Sequence, residues 1–192
     1  MKPQIRKSIK FSFMIAVITF VLAAIFSVIS SSILGEVAWM FGLILVLVIV
    51  LVGVIFDMLG IASTAAHESP LHAMAAEKVP GSKEAVVIIR HADKFASFCN
   101  DVIGDISGIV SGTATAIVVL QIAQMTGDAD SSGVQVVLNV VLTSLVAALT
   151  VGGKAIGKTF AIQKSTRIIL LTGKIVYLLE SKLKIRVLPH DK

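Results

Sequence analysis

The chain holds one cysteine (Cys99), four prolines, one tryptophan and one tyrosine in 192 residues. A lone cysteine excludes an intrachain disulfide and any cysteine-cluster metal site, and nothing indicates an oxidising compartment. Its reading is that of a small apolar residue near a helix start. Charge is scarce as well: 15% of residues are charged, against about 25% in a soluble domain. The most informative scarcity is positional. Gly35-Glu36 and the stretch 124–133 contain no lysine or arginine, although the chain has 17 of them.

What is abundant is apolar sequence. Mean hydropathy is +0.93, and four long apolar segments cover roughly 11–34, 37–61, 97–123 and 134–153. A spanning helix needs about 20 apolar residues at about 1.5 Å rise each, a length all four meet or nearly meet. The expected fold is therefore all-α, a polytopic membrane protein with four transmembrane helices. The first segment follows a basic start but is about twice the length of a signal-peptide core, usually about 7–15 residues. It reads as an uncleaved anchor.

Lys2, Arg6, Lys7 and Lys10 precede the first segment, and Lys78, Lys83, Arg90 and Lys94 lie between the second and third. Nine more cations follow from Lys154 onward. Cytoplasmic loops carry the Lys/Arg excess, so both termini are expected inside, at the cell membrane. The alternate loops carry Glu36, Asp128 and Asp130. Net charge of +5 and pI near 9.5 are then accounted for by topology and anionic headgroups. No nucleic-acid partner is required.

The inner loop 62–96 is expected to form two short helices. Ser69-Pro70 reads as an N-cap with proline at the first helical position, Val79-Pro80-Gly81 as a stop, and Ser82 as a second N-cap. These helices would lie apolar face down on the inner leaflet. Thr159–Val187 reads as an interfacial C-terminal helix, because Ile168–Leu179 is too short to span and Lys174 interrupts it. The expected organisation is an N-terminal basic segment with the first helix (1–36), a membrane domain (37–187) and a tail (188–192).

Segment three carries Gly104, Gly108 and Gly112, continued by Ala116. Segment four carries Ser144, Ala148 and Gly152 at the same spacing. Small residues every four positions let helix backbones approach closely. The two faces are expected to pack on each other or across a homodimer.

Polar groups inside apolar segments mark ion pathways or structural ion pairs. Asp57, Asp101 and Asp105 fall there, the last two at i,i+4, with Lys154 and Lys158 at the same spacing in segment four. Two readings stand side by side. In one, Asp57, Asn100, Asp101 and Asp105, with Ser107 and Ser111, offer hard oxygen ligands to a divalent cation such as Mg²⁺. In the other, Lys154 and Lys158 pair with the acids and lock the helices together. His67 and His72 are five apart, off the spacing for a shared metal, whereas Glu68 and His72 share a helix face as a solvated pair. No catalytic constellation stands out: G-x-S-x-G, H-E-x-x-H and cysteine clusters are all missing. An enzyme is not expected.

With these pieces placed, residues 53–180 resemble the transmembrane domain of the cyclin-M/CorC magnesium-transporter family. Ile55-Phe56-Asp57-Met58-Leu59-Gly60-Ile61-Ala62 looks like the family's F-F-S-G-S-E-T-A stretch. Leu71-His72-Ala73-Met74-Ala75 resembles its L-x-x-L-A helix, and Asp93-Lys94-Phe95 its D-x-F. Asn100-Asp101-Val102-Ile103-Gly104 looks like N-N-L-V-N, and Gly153-Lys154-Ala155-Ile156-Gly157-Lys158 like G-E-I-I-P-K. The resemblance implies three core spanning helices, a dimer and Mg²⁺ transport, with residues 11–34 an addition. The departures are specific. Asp57 and Gly60 stand where the family has Ser and Glu, and Lys154 stands where it has Glu. The sequence contains no CBS pair or CorC-type terminal domain, so nucleotide-linked regulation is not implied.

Overall fold

The computed structural model describes residues 3–125 and 132–183. The expected acidic loop with Asp128 and Asp130, and the tail 188–192, lie outside the described residues. Eight α-helices are present among the described residues. They are α1 (Pro3–Glu36), α2 (Trp39–Ala65), α3 (Glu68–Ala76), α4 (Ser82–Arg90), α5 (Ala92–Ser97), α6 (Asp105–Met125), α7 (Ser132–Gln163) and α8 (Ser165–Leu183). A π-helical stretch, Phe98–Gly104, joins α5 to α6. Four helical runs are long and apolar enough to cross a membrane: Ile9–Glu36, Trp39–Ala65, Ala92–Met125 and Gln135–Gln163. These coincide with the four apolar segments of the sequence: the first and third extend past both expected ends, the second and fourth past the C-terminal end only. The molecule has the architecture of a multi-pass helical membrane protein.

The chain divides into two compact units, one formed by Met1–Val54 and Val102–Gly153, the other by Ile55–Asp101 and Lys154–Lys192. In the first unit α1 packs along α6. Leu34, Val46, Val50, Ala114, Val118 and Val146 form one apolar cluster, so all four spanning helices contribute to it. The close approach is made by glycines of α2. A Cβ on Gly42 would lie 2.7 Å from Val118 Cγ2, and one on Gly53 2.8 Å from Ser107 Cβ. Near the C-terminal end of α6, Gln121 Nε2 donates to the carbonyls of Leu34 (2.7 Å) and Val37 (3.1 Å). These are carbonyls that the end of α1 leaves without helical partners, so Gln121 closes the α1–α2 turn.

Of the two arrangements expected for the small-residue faces, the one within the chain is not seen. A Cβ on Gly108, Gly112 or Gly152 would meet nothing within 4 Å, and Ala116, Ser144 and Ala148 are exposed. Only Gly104 of that set is buried. The packing of segment three on segment four through these faces is therefore not made within the chain. Glycines of α2 supply the close contact to α6, because a bare backbone accepts Val118 and Ser107 where larger residues cannot fit.

In the second unit α3, α4 and α8 pack together. Leu71, Ala85, Val86 and Ile88 are buried with Ile169, Ala161 and Ala62. The apolar faces of the two short helices are thus covered by protein rather than laid on lipid. Their caps also differ from expectation. His67, not Ser69, is the residue before α3. Gly81 precedes α4 in a left-handed conformation (φ 82°), and Ser82 Oγ donates backwards to the Val79 carbonyl at 2.6 Å. A hydroxyl that donates to a carbonyl cannot serve as an N-cap acceptor in the same bond. Glycine is required at 81 for a second reason: a Cβ there would collide with the backbone of α8 at Gly173 and Lys174. Finally, α7 runs unbroken to Gln163, ten residues beyond the expected end, and α8 begins only at Ser165.

Candidate functional site

Of the three acids expected within or at the edge of apolar segments, Asp57 is the buried one, at 6% exposure, whereas Asp101 and Asp105 are exposed. Asp57 Oδ1 lies 3.9 Å from Lys154 Nζ, and the lysine is itself mostly buried. That separation is within ion-pair range but longer than a charge-assisted hydrogen bond, about 2.7–2.9 Å. Asp57 Oδ2 is buried without a hydrogen-bond partner.

One turn further along α2, Gly60 receives Asn100. A methyl group at Gly60 would collide with the Asn100 side-chain amide, whose Oδ1 is also buried without a partner. Ser63 Oγ donates to the Gly60 carbonyl at 2.7 Å, using its proton within the helix. Asn100 belongs to the π-helical stretch Phe98–Gly104. A π turn inserts an extra residue per turn and frequently marks functional sites. The arrangement thus pairs the Asp57 carboxylate with the Lys154 ammonium and seats the Asn100 amide against Gly60, one turn along α2 from Asp57.

The other expected ligands differ in burial or belong to the other unit. Asp101 is exposed on the same π-helical stretch, and Lys158 is exposed on α7. Asp105 is exposed at the start of α6, in the other unit. Ser107 and Ser111 are buried in that unit too. Their hydroxyls donate to Ile103 O (2.8 Å) and Gly108 O (3.0 Å). Among the described residues, no three His, Cys, Asp or Glu side chains converge on one point.

A second polar cluster was legible only in part. His72 Nε2 lies 2.8 Å from Glu68 Oε1, as the shared helix face implied. Arg90, 22 residues on, donates through Nε to the same oxygen at 2.9 Å. These two bonds, Arg90 first, hold the Glu68 carboxyl below its ordinary range. All three side chains are exposed to solvent, which marks a surface clasp between α3 and α4.

Gly152 to Thr159 spells G-x-x-x-x-G-K-T, the pattern of a phosphate-binding loop. Such a loop needs free backbone N–H groups ahead of a helix start. Here all eight residues lie inside α7, where N–H groups are bonded to carbonyls four residues back. The pattern carries no phosphate chemistry in this fold.

Compared with known protein families, curated proteins and solved structures, the chain matches none.

Proposed function

We propose that the chain is a multi-pass protein of the cell membrane, with cytoplasmic termini and a homodimeric state, that handles a divalent, Mg²⁺-like cation as cargo. The observation that carries this reading is that Asp57 Oδ2 and, one turn along α2 at Gly60, Asn100 Oδ1 are each buried without a hydrogen-bond donor. A buried polar atom left unpaired costs on the order of 1–3 kcal/mol. Hard oxygens of this kind suit a cation that retains several of its own waters. Lys154 acts as a tethered counter-charge: at 3.9 Å it offsets the carboxylate without saturating it. Cation entry requires the lysine to withdraw. Asp101, exposed on the same π-helical stretch, offers an oxygen to the arriving ion. Asp105, Ser107 and Ser111 are not needed. The likeness to the cyclin-M/CorC membrane domain points to the same chemistry, and Lys154 is the departure that a test must address.

The test is the thermal stability of the purified chain in millimolar MgCl₂ against KCl of matched ionic strength, with Mg²⁺ flux in proteoliposomes. Wild type is expected to be stabilised by Mg²⁺, Lys154→Ala to show a larger Mg²⁺-dependent gain, and Asp57→Asn to lose it. No Mg²⁺ effect in either wild type or Lys154→Ala, with flux equal to empty vesicles, overturns the proposal.

The Asp57–Lys154 contact itself favours a second reading, a helical scaffold or partner-binding protein in which the ammonium permanently replaces a metal. It expects no Mg²⁺ effect in wild type. It also expects a loss of about 3–5 kcal/mol in Lys154→Ala, the usual result of stranding one member of a buried pair.

A further inference from the structure

A cavity of about 230 Å³ lies among α1, α2 and α6, within the first unit. For scale, an engineered apolar cavity of about 150 Å³ stays dry and takes up benzene. Its walls are aliphatic and aromatic, for example Phe26, Ile29, Val48, Ile49 and Ile106, apart from two serines, Ser30 and Ser107. The serines differ. Ser107 donates its proton to Ile103 O. Ser30 is 7% exposed, and its Oγ has no hydrogen-bond partner. Hydroxyls in apolar helices ordinarily bond back to the carbonyl four residues earlier, as Ser32 does to Val28 at 2.9 Å. Ser30 makes no such bond and sits in the wall of a cavity.

The depth of Ser30 selects the ligand. The apolar run of α1 has 28 residues, Ile9–Glu36. At about 1.5 Å each it is some 12 Å longer than a hydrocarbon core of about 30 Å. Centred in the bilayer, the helix leaves the core about four residues before Glu36, close to Ser30. Ester carbonyls of phospholipids lie at that boundary, with acyl chains running inward from it. Several wall residues, including Phe26, Ile29 and Val48, are also exposed on the molecular surface, so the cavity opens where lipid would lie.

The geometry points to a binding site for one acyl chain of an ester-linked phospholipid, whose carbonyl accepts the Ser30 hydroxyl proton while the chain fills the cavity. This rests on α1, α2 and α6 spanning the bilayer and is independent of any cation. Water is a poor occupant, because the walls offer almost no other polar partner.

The experiment is photolabelling of the full chain in vesicles with phosphatidylcholine carrying a diazirine on its acyl chain, mapped by peptide mass spectrometry. Labelling of Phe13 and Phe20, both exposed on α1, reports insertion by itself. Enrichment at Ile29, Ile49 and Ile106 over those two phenylalanines is expected. Ser30→Ala is expected to reduce cavity labelling roughly two- to tenfold, the worth of one hydrogen bond, with Phe20 labelling unchanged. An ether-linked analogue without the carbonyl should label the cavity as weakly as Ser30→Ala does. Cavity labelling no greater than that of Phe13 and Phe20, or equal labelling by ester and ether lipids, overturns the assignment.

Discussion

A side chain in an apolar helix is constrained as much by the backbone it faces as by its own chemistry, and Asn100 illustrates this. Its amide occupies the space beside Gly60 that any Cβ would fill. Gly60→Ala must therefore displace Asn100 or the π-helical stretch that carries it. Overpacking of this kind costs about 1–3 kcal/mol, read as a lower unfolding midpoint in detergent. The double variant Gly60→Ala with Asn100→Ala should recover most of that loss, since the coupling belongs to the pair. If the two single losses simply add, the contact is not what fixes Gly60. Asp57 and Asn100 were legible in the sequence as polar residues in apolar surroundings. Gly60 was legible only as a place where a family that the sequence resembles carries Glu. Gln121 gave no signal, because its role depends on free carbonyls at Leu34 and Val37, more than 80 positions away.

The same asymmetry holds for elements. Helix existence was legible throughout, because 20 or more apolar residues in a row admit one structure in lipid. Helix faces were not. In α2 nearly every residue is apolar, so periodicity distinguishes no side. Its close contacts are marked by glycines instead: Gly42 and Gly53, eleven residues or about three turns apart, in the first unit, and Gly60 in the second. The doubled small-residue pattern of α6 was easier to see, yet a Cβ on Gly108 or Gly112 would meet nothing within 4 Å. The α3–α4 pair was expected as two surface helices. Its burial against α8 was missed because Gly173 reads as an ordinary helix glycine until Gly81 is seen to abut it.

What joins α3 to α4 at the surface is the Glu68 clasp, and it carries a pH signature. Glu68 is held below its ordinary value by Arg90 first and His72 second. A depressed carboxyl contributes stability above its unfolded value, about 4.3, and loses it as pH falls through the folded value. Glu68→Gln should therefore melt below wild type at pH 7, and the difference should vanish once the pH is well under 4. It should also shrink in high salt, because an exposed pair is screened. A difference independent of pH would assign the effect to packing.

At the scale of the whole molecule, the distribution of charge remains the strongest statement the sequence makes. Seventeen cations avoid both alternate loops, and the four helices that separate them are present at the expected places. Because long apolar helices can insert either way, orientation rests on those cations alone, and it can be measured directly. Cys99 is the only cysteine and is buried, so background from maleimide labelling should be low. Gly35 closes α1, and a Cβ there would meet nothing within 4 Å; Ser181 is exposed near the end of α8. In intact cells, a membrane-impermeant maleimide should label Gly35→Cys at once and Ser181→Cys only after permeabilisation. The reverse pattern would invert the protein, placing Lys154 and Asp57 toward the outer face. Labelling of both without permeabilisation would break the four-span topology. The expected pattern places the Asp57–Lys154 pair toward the cytoplasm, because α2 runs inward from Trp39 and Asp57 lies in its last third. An ion reaching Asp57 would then come from the side where free Mg²⁺ is buffered, and its binding would be sensitive to cytoplasmic rather than external concentration. Inside-out vesicles loaded in either direction separate these cases, with Mg²⁺ protection of the wild type against thermal aggregation expected only from the cytoplasmic face.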